Sequence, residues 1–282
     1  MRKASKVFTV LVFLFLYLPM VVLGVASFNR GSDPQVFKGF TFGNYAALFQ
    51  DSVLLPLLLN SVIVALISSL LATVLGTAAT LGIQRMKPGL RRFTMALTNI
   101  PLTNPEIVTG VSLALLFAFV GQAMKLKSVM GFWTLLIAHI TFNLPYVILS
   151  VQPKLLQMDE NLTEAALDLG CTPFRAFWKV ILPEIMPGVI SGMLMSFAMS
   201  LDDFVISYFV YGPNFVTLPV EIYNYTKKPL HPKIYALFTL LFLAILVVMT
   251  VMNLLQARDS AKQRGSRLTR QRKRANTELG GI

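Results

Sequence analysis

Val53-Leu54-Leu55-Pro56-Leu57-Leu58-Leu59-Asn60-Ser61-Val62-Ile63-Val64-Ala65-Leu66-Ile67-Ser68-Ser69-Leu70-Leu71-Ala72-Thr73-Val74-Leu75-Gly76-Thr77-Ala78-Ala79-Thr80-Leu81-Gly82-Ile83 carries no charged residue. A helix needs about 20 predominantly apolar residues to cross the hydrocarbon core of a bilayer, and one fits inside this run. Five further runs read the same way: Val7–Phe28, about Phe93–Val120 with Glu106 inside it, a span within Phe132–Gln152, about Met186–Phe209 with Asp202 and Asp203, and Ile234–Gln256. The expected fold is an all-α integral membrane protein with six transmembrane helices over residues 1–256. The apolar stretch of the first run exceeds the roughly 7–15 residues of a secretory signal and shows no convincing cleavage site, which favours an uncleaved span over a signal peptide.

Composition agrees. Hydrophobic residues make up 55% of the 282, and only 13% are charged, against about 25% in soluble domains. Mean hydropathy is +0.66. These values exclude a disordered chain, a disulfide scaffold and almost any ordinary cytosolic enzyme. The single cysteine, Cys171, allows no internal disulfide.

The net charge is +12, and the basic residues fall mostly between and after the apolar runs. With the N-terminus inside, 18 of the 25 Lys and Arg residues lie on the cytoplasmic side, which predicts both termini there. Residues 257–282 read as a basic cytoplasmic tail, expected to be disordered. A solvated topology anchor explains it better than an anionic-lipid or RNA site.

One inside loop, about residues 153–187, is long enough to hold structure. Asn161 and Glu164 have capping-box spacing. Leu162, Ala165, Ala166 and Leu169 form an apolar face at helical spacing. Gly170 suits a left-handed C-terminal cap, Thr172 an N-cap and Pro173 the first position of a second short helix. Phe174, Phe177, Trp178 and Ile181 then share one face. Composition leaves two uses for this pair of helices open: packing against the bundle, or docking into a groove of a partner.

Glu164-Ala165-Ala166, three residues, Gly170, then Leu182-Pro183 resembles the EAA loop of ABC-importer permeases, with Val180 where the consensus has Ile. The resemblance implies the type I (MetI-like) permease architecture, with a cytoplasmic coupling helix seated in a cleft of an ATPase subunit. Glu164, Ala165, Ala166, Asp168, Gly170, Leu182 and Pro183 would carry that coupling. His139-Ile140-Thr141-Phe142-Asn143-Leu144-Pro145, Ser200-Leu201-Asp202-Asp203, Gly212-Pro213 with Thr217-Leu218-Pro219, and Gly39-Phe40-Thr41 with Tyr45 and Leu48 are similar to the spermidine/putrescine permeases of this group. The resemblance implies a second permease subunit, an ATPase dimer that binds ATP and Mg, an extracytoplasmic substrate-binding protein and the bacterial inner membrane. This chain shows no Walker A pattern, so no nucleotide cofactor is expected in it. No catalytic constellation and no metal-ligand cluster stand out.

Acids inside apolar spans are costly and mark candidate functional sites. Glu106 follows Asn104-Pro105 and lies about 13 residues from either end of its run, near the midplane if the helix is straight. The polyamine relatives usually carry Asp there. Gly188, Gly192, Ser196 and Ser200 form a small-residue row beside Asp202 and Asp203, suggesting a two-subunit interface with a path along it. Ser68, Ala72, Gly76 and Thr80 form a similar row. The expected substrate path contains Glu106, Asp202, Asp203, Tyr208 and Tyr223, with Tyr211 nearby: carboxylates for separated ammonium groups, aromatic faces for cation–π contact. His139 reads as a hydrogen-bonded core residue. Two alternatives accompany the polyamine importer. One is the same machine for an amino-acid derivative, an opine or ferric iron. The other is an ion-coupled secondary transporter with Glu106 as its proton or cation site.

Overall fold

The computed structural model describes residues 2–31, 36–125, 129–159, 161–226, 232–247, 249–251 and 254, with side chains from residue 6 onward. The expected tail lies outside the described residues. In chain order the helices are α1 (Arg2–Ser27), α2 (Gly43–Phe49), α3 (Leu54–Gln84), α4 (Pro88–Thr103), α5 (Glu106–Ala123), α6 (Phe132–Gln157), α7 (Asn161–Asp168) and α8 (Pro173–Ala176). A π-helical turn, Phe177–Ile181, leads into α9 (Leu182–Leu201), α10 (Val205–Val210) and α11 (Leu218–Thr226), and α12 covers Pro232–Val251. Among the described residues six stretches are long and apolar enough to span a membrane: Lys6–Ser27, Leu54–Gln84, Glu106–Ala123, Phe132–Gln157, Pro173–Leu201 and Pro232–Val251.

Two expected spans are interrupted. The run from Phe93 breaks at Asn104, which is extended (ψ 142°), and Pro105 follows as the N-cap of α5. A residue before proline is pushed out of the helical region by the ring, so Asn104-Pro105 ends α4 and starts α5. Glu106 therefore opens a helix instead of lying midway along one. The run from Met186 ends its helix at Leu201, and a new helix begins at Val205.

The chain divides into two compact units, Met1–Val62 with Phe215–Val247, and Ile63–Asn214 with Val248–Ile282. In the first, Leu48, Leu54, Leu218, Ala236 and Leu237 form the core. The connection after α1 is built by side-chain amides. Asn44 Nδ2 donates to the carbonyls of Ser27 and Asn29, and Asn29 Oδ1 accepts the N–H groups of Gly31 and Lys38. Gly39 takes φ 123°, open to glycine and strained for other residues.

Asp51 joins both ends of this unit. Its Oδ1 accepts the N–H groups of Val53 and Leu54, capping α3, while Oδ2 receives Lys233 Nζ at 2.6 Å. The lysine partner, followed by the backbone donors, lowers the Asp51 carboxyl from 3.8 to about 2. Because the folded value is the depressed one, the stabilisation is complete above the unfolded value near 4 and is lost as pH falls toward 2. Asp51→Asn is expected to cost about 1 kcal/mol at neutral pH, the scale of a partly screened pair. Thermal melts of the detergent-solubilised protein check it: the gap between wild type and variant should be flat above about pH 5 and close as the pH falls through that window.

In the second unit α6 and α9 run antiparallel. Val147 lies opposite Gly192, and Val151 opposite Gly188. A Cβ on Gly188 would stand 2.8 Å from the Ser150 carbonyl oxygen, and one on Gly192 3.2 Å from Val147 Cα. Gly76 of α3 meets the same Val147 side chain. Ala72, Val147, Val151, Leu155, Ile181 and Ile185 form the core there. Both small-residue rows are thus used up in packing within this chain, which corrects the expectation that the α9 row faces a second subunit. Ser68, Ala72, Thr80, Ser196 and Ser200 are all buried. Ser196 Oγ and both amide atoms of Asn143, facing each other by this register, have no hydrogen-bond partner.

Candidate functional site

Two groups of residues stand out, at different levels of the second unit. The first is the connection from α6 to α9. Helix α7 ends as its sequence dictates: Cys171 N–H donates to the Ala166 carbonyl and Gly170 N–H to that of Leu167, with Gly170 at φ 82°. That pair of bonds is the Schellman arrangement, and the left-handed residue in it favours glycine. Thr172 Oγ1 accepts the Arg175 N–H, and Pro173 opens α8. At the other end Asn161 is already helical. Its N–H and its side-chain amide both donate to Asp159 Oδ1, so the aspartate does the work expected of an Asn161 cap.

The apolar face of this connection is covered only in part: Ile181 is buried and Phe177 packs on the same core, while the rest stands open. Of α7 only Ala166 is buried, while Leu169 is 86%, Phe174 72% and Trp178 53% exposed. Glu164, Ala165, Asp168 and Gly170 are exposed as well, Leu182 is half-buried and Pro183 exposed. Phe174, Trp178 and Phe177 pack ring on ring. The π turn at Phe177–Ile181 has a local cause: Pro183 has no N–H for the Lys179 carbonyl, so the regular ladder fails just ahead of it.

The second group gathers around the break between α9 and α10. The two acids there are unlike. Asp203 is buried, its Oδ1 accepting the Ile206 N–H at 3.3 Å, and its Oδ2 accepting the N–H and the hydroxyl of Ser207, each at 2.8 Å. A carboxylate offered to the first free N–H groups is what starts a helix, and it explains why the expected span is split here. Asp202 ends α9 with its side chain exposed.

Helix α5 packs against α10 through Gly110, where a Cβ would come within 2.9 Å of the Phe209 ring. One turn earlier on α5 is Glu106, exposed, and within electrostatic reach of both Asp203 and Asp202. Tyr146 of α6, half-buried, is within reach of Glu106 in turn and packs edge-on against Phe142. Tyr208 stacks among Phe204, Phe209 and Tyr211. Glu106, Asp202 and Asp203 are thus within electrostatic reach of one another, with Tyr146 within reach of Glu106. Tyr223 belongs to the other unit, exposed on α11. Tyr146 and Ser207 escape the sequence reading. His139, Phe142, Asn143 and Tyr146 share one face of α6, the periodic signal that points to Tyr146.

Residues 72–262 match the family of binding-protein-dependent transport system inner membrane components. The chain is 36% identical over 258 residues, 92% of its length, to a spermidine/putrescine transport system permease protein PotC of Shigella flexneri, covering 95% of that protein. It is 37% identical over 254 residues to the putrescine transport system permease protein PotI of Escherichia coli K12, covering 89% of this chain and 90% of that one. Among solved structures it is similar to a bacterial ABC transporter involved in the import of the acidic polysaccharide alginate (TM-score 0.70, 15% identity, 90% of this chain and 94% of that chain). A chain of the MetNI methionine ABC transporter aligns with TM-score 0.55 at 18% identity, over 76% of this chain and 95% of that chain. At such identities these two likenesses speak to the fold.

Proposed function

The chain belongs to the binding-protein-dependent transport system inner membrane components, and from that premise we propose that it is the permease subunit of an ATP-driven importer of putrescine or spermidine. The single observation that carries the substrate is the relationship to polyamine permeases over nine-tenths of both chains. The cluster of Glu106 and Asp202 beside Tyr208 and Tyr146 supports the same reading. A polyamine offers ammonium groups separated by methylenes, and carboxylates with aromatic faces answer both parts. The ion-coupled alternative loses its ground with the family.

In this reading a second permease subunit completes the path and an extracytoplasmic binding protein delivers the substrate. An ATPase dimer, holding the ATP and Mg, receives Glu164–Gly170 with Leu182 and Pro183. The open part of the apolar face of α7 and α8 supports docking over packing against the bundle. Both termini lie in the cytoplasm, the distribution of basic residues being the support.

Uptake of labelled putrescine and spermidine by cells expressing the whole transport system tests the substrate. Wild type should accumulate one or both. Glu106→Gln should lower uptake about tenfold at matched membrane abundance, the scale of one lost charge-assisted contact. A wild-type complex that hydrolyses ATP but takes up neither polyamine overturns the substrate assignment.

A further inference from the structure

The two adjacent acids at the α9–α10 break do different jobs, and the division is made by a histidine on a third helix. His139 is 2% exposed. Its Nε2 stands 2.9 Å from Ser207 Oγ and 3.5 Å from Asp203 Oδ2, while Nδ1 is hydrogen-bonded to Ser200 Oγ. Ser200 continues to Ser68 of α3 at 3.1 Å. The donors sort themselves in one direction. The carboxylate only accepts, so the Ser207 hydroxyl donates to it. With the imidazole neutral, Ser207 Oγ accepts from the ring Nε2–H, which leaves Nδ1 to accept from Ser200. One rigid ring therefore bridges the last turn of α9 to the first full turn of α10, across the break that holds Asp202.

Asp203, 4% exposed at its side chain, is buried and turned inward, with both oxygens engaged by the Ile206 and Ser207 N–H groups and the Ser207 hydroxyl and the His139 ring 3.5 Å away. Asp202 is exposed and Tyr208 projects from the helix that Asp203 caps.

We propose that His139 is a positioning residue for transport: by clamping Ser200 to Ser207 it fixes where Asp202 and Tyr208 point. Asp203 serves this clamp as the cap of α10, and Asp202 with Glu106 meets the cation. The uptake arm of the test rests on the polyamine reading above; the labelling arm does not.

Cys171 is the only cysteine of this chain, so in the full importer carrying Cys171→Ser the thiol of Asp202→Cys is the only one this chain offers, and labelling is read on this chain's own band. The measured quantity is that thiol's rate of modification by a small cationic methanethiosulfonate. His139→Leu removes both ring bonds, whereas His139→Gln keeps a donor and an acceptor. His139→Leu should change the rate at least about fivefold, and His139→Gln should bring it back to within about twofold of the parent. In uptake, His139→Leu should cost about tenfold when Asp202 is present and under about twofold in an Asp202→Asn background, the non-additivity of residues acting through one another.

If His139→Leu fails to assemble, Ser207→Ala opens the clamp from its other side with the loss of one hydroxyl. Equal labelling rates with and without the clamp overturn the proposal, as does an identical fold-loss of uptake in both Asp202 backgrounds. Absence of polyamine uptake in wild type sinks the substrate reading alone, and the labelling rates then decide the role of His139.

Discussion

Glu164→Arg is expected to lower uptake by the proposed importer about a hundredfold or more while the chain still inserts in the membrane. The argument starts from the shape of the α6–α9 connection. Helix α7 is closed by a Schellman cap at Gly170 and followed at once by the Thr172 cap, so its end is set by capping bonds, and of its residues only Ala166 is buried. Its outward face is apolar and exposed, and Glu164 sits on the same short helix, itself exposed. A charge reversal in the middle of such a docking surface removes any pairing the carboxylate makes and adds a like-charge contact where the partner is basic. Central interface residues of this kind cost about 2–4 kcal/mol, so uptake should fall about a hundredfold or more. Uptake and ATP hydrolysis measured on the same membranes check it: under the proposed coupling to an ATPase, both should drop together. Uptake within twofold of wild type would show that this face is not the coupling surface.

Gly188→Leu is expected to have the second largest effect, and here the readout is stability. Even the first carbon of a side chain at this position meets backbone: the Ser150 carbonyl oxygen at 2.8 Å and Val151 Cα at 3.2 Å. Backbone has nowhere to rotate, so α6 and α9 must separate along the seam that also holds Val147 and Gly192. Overpacking a close-packed core costs about 1–3 kcal/mol, and a leucine against backbone falls at the upper end or beyond. Thermal unfolding of the purified complex measures it, with Gly188→Ala intermediate. Gly24→Ala is the control, because a Cβ there meets nothing within 4 Å. Melting of Gly188→Leu together with wild type would refute the close seam.

The parts of the fold legible in the sequence are those in which each residue acts alone or on near neighbours. Long apolar runs predict six spans, and six suitable stretches are found among the described residues. Gly170, Thr172 and Pro173 announce the turn between α7 and α8, because left-handed backbone, a side-chain acceptor and a missing N–H are local properties. The Asn104-Pro105 dipeptide carries a similar local signal, yet hydropathy runs straight through it, and hydropathy alone joins α4 to α5. The break after Leu201 is hidden for another reason: Asp203 caps α10 using N–H groups three and four residues later, in a stretch that otherwise reads as apolar helix.

What one helix packs against is not a local property. The rows Gly188–Gly192–Ser196–Ser200 and Ser68–Ala72–Gly76–Thr80 predict close approach, and close approach is found, but with α6 of the same chain. Sequence periodicity fixes a face and leaves its neighbour open. The acids follow the same logic. Glu106, Asp202 and Asp203 are within electrostatic reach of one another, whereas the difference between a buried Asp203 and an open Asp202 depends on Ser207 and on His139, some 60 residues away in sequence.

The bare rings of Phe174 and Trp178 and the nearly uncovered Leu169 have a consequence for the life of the molecule before it ever transports anything. A newly made chain displays them as soon as α7 and α8 form, and folding of the chain itself does not hide them. Such a surface is what chaperones and quality-control proteases recognise in unassembled subunits. In the proposed importer the ATPase covers that face, and the lifetime of this chain in cells is then expected to fall when that component is scarce.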